Sequence, residues 1–191
     1  MKRFQVSSTL KRMLVEVILI TCGVLLALVL DQWNSNRLMR QRSEEALLKI
    51  TAEIEDNIRI LEFVNPNNQK VVSIINGTLS VEGGAEPQLI PALQMVDTAW
   101  QTMLSTGVSE YIEYDVLYEL SRLYSLHEIY ESLSYQILDT INNSRVLILA
   151  MNPETQLDDE ILYGDQISLL VHSETQLLEM MRGVHSFLEN N

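Results

Sequence analysis

The side chains best placed to do chemistry lie in one segment around His127. His127 and Glu131 are four residues apart, so on a helix they share a face, and Tyr124 lies one turn earlier. An imidazole beside a carboxylate can hold a metal ion or move a proton. The spacing matches neither the His-Glu-x-x-His motif nor the Glu-x-x-His motif of di-iron bundles. Tyr124, His127 and Glu131 are therefore a polar-cluster candidate, and a half-buried, hydrogen-bonded histidine is the simpler interpretation.

No motif of an established catalytic centre occurs in the chain. There is no Gly-x-Ser-x-Gly sequence for a nucleophilic serine and no glycine pattern for a bound nucleotide. The only cysteine, Cys22, lies inside an apolar segment, so thiol catalysis and disulfides are excluded for the residues after it. The sequence predicts no catalytic residue, no metal ligand and no cofactor, and an enzyme is the poorest of the hypotheses considered below.

Tyrosine is the most unusual feature of the composition. Six of the seven tyrosines fall within the 25 residues from Tyr111 to Tyr135. Tyr111, Tyr114 and Tyr118 are predicted to share one helical face, distinct from the apolar stripe of the same helix. Because protein interfaces favour amphipathic rings that stay half in water, these three residues are the candidate interaction face. The alternative is a central helix that buries two faces and bonds its hydroxyls locally.

The location of the whole protein depends on the apolar segment 13–30. Its eighteen residues carry one charge and would form about 27 Å of helix, close to the ~30 Å of a bilayer core. Twelve of them are Leu, Ile or Val, which together favour insertion by about 4 to 7 kcal/mol, whereas a central acid costs about 2.5 to 3.5 kcal/mol. Insertion is therefore expected although Glu16 lies in the segment.

Three residues of this segment are candidate membrane-helix contacts. Glu16 follows Arg12 by four residues, so the two are expected to pair at headgroup level, with an interchain contact as the alternative role for Glu16. Gly23 and Ala27 form a small-x-x-x-small pair that lets two spans approach closely. The simpler interpretation of that pair is that glycine and alanine are common in membrane spans.

The flanking residues predict an uncleaved signal-anchor in the inner (plasma) membrane. Trp33 follows the segment as an interfacial anchor, and no small-residue cleavage site follows the apolar run, which disfavours a cleaved signal peptide. A lipoprotein signal at Cys22 is disfavoured because apolar residues continue after it. The expected division is a cytoplasmic N-terminus (1–12), a transmembrane signal-anchor (13–32) and an exported, periplasmic helical domain (33–191). Lys2, Arg3, Lys11 and Arg12 favour an inside N-terminus, and the asymmetry is modest because Arg37, Arg40 and Arg42 lie close to the other end of the span.

The part after the span is strongly acidic. From Asp31 onward there are nine Lys and Arg against 25 Asp and Glu, a net charge of −16 over 161 residues. Such a surface repels phosphate backbones, so we expect no nucleic-acid partner. The expected partners are the membrane and either another protein or a second copy of this chain.

The helical period runs through nearly all of this acidic part, and no strand pattern is recognisable. No Gly or Pro separates the span from the next stripe, so one continuous helix is predicted until the sequence NPNN at 65–68 stops it. The spacing of the stripe is near-heptad, which suits a coiled coil with another chain or packing on its own bundle. The stripe consists of Leu47, Ile50, Ile54, Leu61 and Val64.

Further helices are predicted at 69–79, from Pro91 to Gly107, from Asp115 with a candidate break at Asn142 and Asn143, and from about Glu160 to Phe187. Residues 81–87 are predicted to form a loop. The fold class is all-α: an N-terminal transmembrane helix that continues into a juxtamembrane helix, followed by an antiparallel helical bundle. The Pro91 helix is predicted to bury Leu93, Val96, Trp100 and Met103.

Two sequence blocks resemble a known family. The first is the order of basic residues, Glu16, the run VILITCGVLLAL, Trp33 and an acidic amphipathic helix that carries Ala52-Glu53-Ile54 and Asn57. The second is WQTMLSTG at 100–107 followed by the tyrosine-rich helix. Both are similar to a widespread family of small, single-span bacterial envelope proteins whose domain has no assigned function. The resemblance implies the topology and no activity.

Two hypotheses remain for function. The favoured one is an anchored assembly or interaction subunit of the cell envelope. The alternative is a periplasmic ligand-sensing domain, which must act through a partner membrane protein because only twelve residues precede the span. A deep apolar cavity near Trp100 and Tyr124 would favour the ligand, whereas a packed core with an exposed tyrosine face would favour the partner.

Overall fold

A computed structural model describes residues 8–77, 88–92, 94–148 and 156–190, and for 8–11, 141–148 and 156–163 it describes the backbone alone. Four α-helices occur in these ranges: α1 (Ser8–Ile75), α2 (Thr98–Ser105), α3 (Tyr114–Ile148) and α4 (Gln156–Glu189). A short 3-10 helix, Val108–Tyr111, lies between α2 and α3. No strand occurs in the described ranges, and the predicted all-α class is confirmed.

Helix α1 joins the apolar segment to the rest of the fold. Its 68 residues correspond to about 100 Å of helix. It contains one segment that is long and apolar enough to cross a membrane, and the chain buries none of that segment. The prediction that the apolar helix continues without interruption into the next helix is confirmed.

The prediction that this helix stops at residues 65–68 was wrong, and the short helix predicted from 69 is the end of α1. Pro66 lies inside α1, on its exposed side, where the missing N–H removes one helical hydrogen bond. The neighbouring asparagines do not form a turn because their side chains bind distant residues; the Nδ2 of Asn65 donates to Thr175 Oγ1 at 3.1 Å. The helix ends instead before Gly77, which has a φ of 67°. The predicted loop at 81–87 lies outside the described residues.

The described residues 88–92 and 94–97 are irregular where a helix was predicted to begin. Helix α2 starts at Thr98 rather than near Pro91, because the backbone of this segment is hydrogen-bonded to side chains of α1. Val96 is 47% exposed rather than buried, and Leu93 lies outside the described residues. Trp100 and Met103 are buried as predicted.

The three long helices share one core. Helix α4 packs against both α1 and α3. It runs antiparallel to α1, since its C-terminal part contacts the middle of α1 through Arg182 and Glu62, whereas Gly164 lies against Ile75 at the end of α1. Helix α3 starts at Tyr114 and continues through Asn142 and Asn143 to Ile148, so the candidate break at these residues does not occur.

The near-heptad stripe of α1 is used within the chain. Ile50, Ile54 and Leu61 are completely buried and belong to the same core cluster as Leu120 of α3 and Leu177 of α4. These side chains are therefore not available for a coiled coil with a second chain, and any partner has to use another surface.

Candidate functional site

Glu53 lies on the buried face of α1, and its carboxylate connects three helices. Oε1 accepts a hydrogen bond from the Tyr124 hydroxyl at 2.7 Å. Oε2 accepts one from the backbone N–H of Ala99 at 2.7 Å. Ala99 is the second residue of α2, whose N-cap residue, Asp97, makes no side-chain capping bond. Glu53 therefore caps α2 from a neighbouring helix, where a negative charge is favourable.

Tyr124, which binds this carboxylate, stacks on Trp100. Their rings stack in parallel with centroids 4.9 Å apart, and both side chains are buried. Burial raises the pKa of the Tyr124 hydroxyl, and the hydrogen bond to Glu53 raises it further. The hydroxyl therefore stays protonated and serves as a fixed hydrogen-bond donor. This geometry suits a structural clasp between α1 and α3 rather than acid-base catalysis.

His127 lies next to this clasp, with its ring centroid 6.3 Å from that of Tyr124. Burial lowers the pKa of His127, although the charges of Asp97, Glu131 and Glu53 oppose the shift. No hydrogen bond or ion pair joins His127 and Glu131 in the described part of the chain, and Glu131 is exposed. The polar-cluster candidate therefore consists of a buried Tyr124 and His127 and an exposed Glu131, and all three line one small cleft. Within the described residues no group of three or more His, Cys, Asp and Glu is placed to hold a metal ion.

Beside His127 is a small cleft of about 320 Å³. Its wall is mostly polar and includes Gln101, Ser121 and Glu128. A deep apolar cavity near Trp100 and Tyr124 would favour a ligand. The two rings instead stack on each other, and the cleft beside them is lined mostly by polar groups.

Two asparagines of α1 hold the irregular segment, and sequence reasoning missed both. Asn57 exchanges two hydrogen bonds with the backbone of Val96, and Asn68 does the same with Ile90. Asn57 and Asn68 are eleven residues apart, so they lie on one face of α1 about 16 Å from each other. Ile90 therefore lies beside the later of these two positions on α1 and Val96 beside the earlier one, so their order is opposite to that of α1. The sequence feature that could have indicated this role is the position of Asn57 within an otherwise apolar stripe, where a polar side chain needs a hydrogen-bond partner.

Glu174 of α4 is a second buried acid that the sequence did not reveal. It is 0% exposed, and its Oε2 accepts a hydrogen bond from Asn68 Nδ2 at 3.0 Å. Its Oε1 has no hydrogen-bond partner among the described residues. Burial raises the pKa of Glu174 to about 7, against the lowering effect of the Asn68 hydrogen bond. Burial, followed by the charge of Glu174, raises the pKa of Tyr130 to about 12.

The tyrosines of the candidate interaction face are exposed but do not share one helix. Tyr114 and Tyr118 are 77% and 51% exposed, and their rings stack with centroids 6.3 Å apart at the start of α3. Arg122 lies over the ring of Tyr118 at 5.8 Å. Tyr111 belongs instead to the preceding 3-10 helix, where its hydroxyl donates a hydrogen bond to Asn36 Oδ1 at 3.3 Å. The prediction of one common helical face was wrong for Tyr111, because the chain is extended at Ile112.

The candidate membrane-helix contacts lie together on α1. Glu16, Gly23 and Ala27 are seven and then four residues apart, which places them on one helical face, and all three are exposed in the single chain. No ion pair joins Arg12 and Glu16, although both belong to the described residues, so the predicted pairing is not seen. The face is free to contact lipid or another helix.

The chain was compared with protein-family models, with curated proteins and with solved structures, and none of the three comparisons finds a match.

Proposed function

We propose that this protein is a membrane-anchored helical module of the cell envelope that binds a protein partner beside the membrane. One observation carries the proposal: α1 is a single helix whose first part is apolar and uncovered and whose later part is built into the core of the domain. An anchor of this kind holds the domain at a defined distance from the membrane, because one continuous helix joins the two. The proposed orientation keeps residues 1–12 in the cytoplasm and exports the acidic domain, in line with the basic residues before the span.

The exposed pair Tyr114 and Tyr118 is the proposed contact surface for the partner. The hydrogen bond between Tyr111 and Asn36 indicates the distance of this surface from the apolar segment. Asn36 follows Leu30 by six residues, which corresponds to about 9 Å of helix. The start of α3 therefore lies near the membrane end of the domain. A partner that reaches this surface is itself held at the membrane, which favours a second copy of this chain or another membrane protein.

A groove of about 970 Å³ adjoins this surface and widens the area a partner can use. It lies between α1 and the 3-10 helix, with apolar side chains in its wall and acidic residues at its edge. Tyr111 borders the groove, and Tyr114 follows it by three residues along the chain. The residues that line it include Arg40, Leu47, Leu48, Glu110, Ile112 and Val116.

Ligand sensing is the less favoured function for this fold. Its hypothesis required a deep apolar cavity near Trp100 and Tyr124, and the cleft at that position is small and polar. The core beside it is closed by the stacked rings. These observations support a packed scaffold with an external contact surface.

The test is chemical crosslinking in intact membranes, with identification of the captured chains by mass spectrometry. The full-length protein is compared with the double variant Tyr114→Ala/Tyr118→Ala and with the control Tyr135→Ala, which removes an equally exposed tyrosine of α3 outside the pair. We expect one reproducible adduct, to a second copy or to another membrane protein, that the double variant loses and the control retains. An adduct pattern identical in all three proteins would contradict the proposed contact surface.

A further inference from the structure

Three arginines stand directly after the apolar segment of α1. Arg37, Arg40 and Arg42 fall within six residues, whereas the 149 residues that follow hold only six Lys and Arg against 24 Asp and Glu. Positive charge is therefore concentrated at the beginning of a domain that is otherwise acidic. We refer to Arg37, Arg40 and Arg42 as the arginine collar.

The arginine collar has no ion-pair partner among the described residues. All three side chains are exposed, and none forms an ion pair with any described residue. The arginines further along the chain behave differently: Arg59, Arg122 and Arg182 each lie within ion-pair distance of a carboxylate. Glu44 follows Arg40 by four residues and still does not pair with it. The guanidinium groups of the collar are therefore available to a group from outside the chain.

Arg37 lies within side-chain reach of the lipid headgroups, and Arg40 and Arg42 follow within about a Debye length of them. Arg37 follows Leu30 by seven residues, about 10 Å along the helix, and Arg42 by about 18 Å. The headgroup layer extends roughly 5 to 7 Å beyond the hydrocarbon core, and long basic side chains direct their charged ends back towards it. Trp33, which is exposed, shares the helical face of Arg37 and Arg40, as expected for an interfacial ring.

We propose that the arginine collar binds the phosphate groups of anionic phospholipids, of which phosphatidylglycerol is the simplest example. The inference rests on the proposed membrane anchoring. Guanidinium groups match phosphate oxygens in geometry and remain charged at every physiological pH. Bound lipids would hold α1 at a fixed depth and keep the acidic domain from being displaced by the negative membrane surface. The collar thereby sets the height of the tyrosine surface above the membrane.

Trp33 supplies a local probe for the test. The full-length protein is reconstituted into phosphatidylcholine bilayers that contain a small fraction of phosphatidylglycerol, and one of the two lipids carries brominated acyl chains. Bromine quenches a tryptophan that touches these chains, and Trp100 does not report because it is buried in the domain. We expect brominated phosphatidylglycerol to quench Trp33 more than its share of the bilayer predicts.

The variant Arg37→Gln/Arg40→Gln/Arg42→Gln should lose this preference, by about fivefold for Arg37 and by smaller factors for Arg40 and Arg42, which lie further from the headgroups. The control Arg59→Gln/Arg182→Gln, which removes two charges from the domain, should keep it. Inorganic phosphate at matched ionic strength should not abolish the preference, and abolition would assign the collar to free phosphate instead.

An equal preference in the triple variant and the unmodified protein would overturn the proposal. Strong quenching by both brominated lipids in proportion to their abundance would also overturn it while leaving the anchor intact. If neither lipid quenches Trp33, the apolar segment is not in the bilayer, and the proposed anchoring fails together with the collar.

Discussion

The side chain of Asn57 pairs with both backbone groups of Val96. Its Nδ2 donates to the Val96 carbonyl at 2.7 Å, and the Val96 N–H donates to its Oδ1 at 3.0 Å. A primary amide offers the same donor and acceptor as a peptide group. The Asn57 side chain therefore satisfies both backbone groups of Val96, as a paired residue in a β-sheet would. Asn57 and Asn68 together hold Val96 and Ile90 against α1. Because α2 begins two residues after Val96, these contacts also position the N-terminus of α2 beside Glu53.

Asn57→Ala should destabilise the fold by about 1 to 3 kcal/mol, because it removes two hydrogen bonds in a largely buried setting. Unfolding of the full-length protein in detergent, followed by circular dichroism, measures the change. Limited proteolysis should at the same time become faster within residues 88–97. The control is Asn67→Ala, which removes an exposed hydrogen bond to Gln88 and a long one, of 3.4 Å, to Asn68 Oδ1, and should destabilise the fold by less than about 1 kcal/mol. Equal effects of the two substitutions would contradict the role given to Asn57.

Tyr124→Phe should cost about 1.5 to 3 kcal/mol, because it removes a hydrogen bond to a buried carboxylate and leaves Oε1 of Glu53 without this donor. The stacked ring is retained, so the loss reports the hydroxyl alone. Thermal unfolding monitored by the fluorescence of Trp100, which stacks on this ring, is the suitable measurement. Tyr135→Phe on the exposed side of α3 is the matched control, and a comparable loss in that variant would count against the clasp.

The buried Glu174 predicts a pH dependence of stability with a definite sign. Burial raises its pKa in the folded state to about 7 from the ordinary value of 4.5, so the unfolded state loses the proton first as the pH rises. The contribution of this group is fully present below about pH 4.5 and is lost progressively up to about pH 7, by roughly 3 kcal/mol. Glu174→Gln should remove this part of the pH dependence, and the exposed Glu179→Gln should not. Parallel stability curves for unmodified protein and Glu174→Gln between pH 4.5 and 7 would refute the assignment.

Glu16→Gln should leave membrane insertion unchanged, because the Leu, Ile and Val residues of the segment already outweigh the cost of one acid. Membrane fractionation after alkaline extraction measures insertion. The contrasting variant is Val24→Arg/Leu25→Arg, which places two charges in the middle of the segment at a cost of about 5 to 7 kcal/mol and should release the protein. If Glu16→Gln inserts normally but loses a membrane complex, the carboxylate acts between chains rather than at the headgroups.

The sequence predicted the parts of this fold that depend on a regular hydrophobic period. The continuous course of α1, the beginning of α3 and the buried stripe from Ile50 to Val64 all follow from spacing along one helix. Local pattern is sufficient for these features because each is formed by neighbouring turns of the same helix.

The errors occurred where distant residues override local preference. Asn65, Pro66 and Asn68 read as a turn, but in the fold Asn65 and Asn68 bind α4 and the 88–97 segment, which stabilises a helix through an unfavourable sequence. Glu53 looks like a solvated acid of an amphipathic helix, and its role as a cap for α2 depends on a contact 46 positions away. Tyr111 was misplaced because the bend at Ile112 leaves no mark in the spacing of the tyrosines.

The most direct test of the account is photocrosslinking from the tyrosine surface in intact membranes. A photoreactive phenylalanine analogue replaces Tyr118 in one sample and Tyr135 in the other, and each sample is irradiated before the membranes are dissolved. The account predicts a discrete adduct from position 118, to a second copy or to another membrane protein, and none of that mass from position 135. The same adducts from both positions, or no adduct from position 118, would contradict a partner-binding surface at the start of α3.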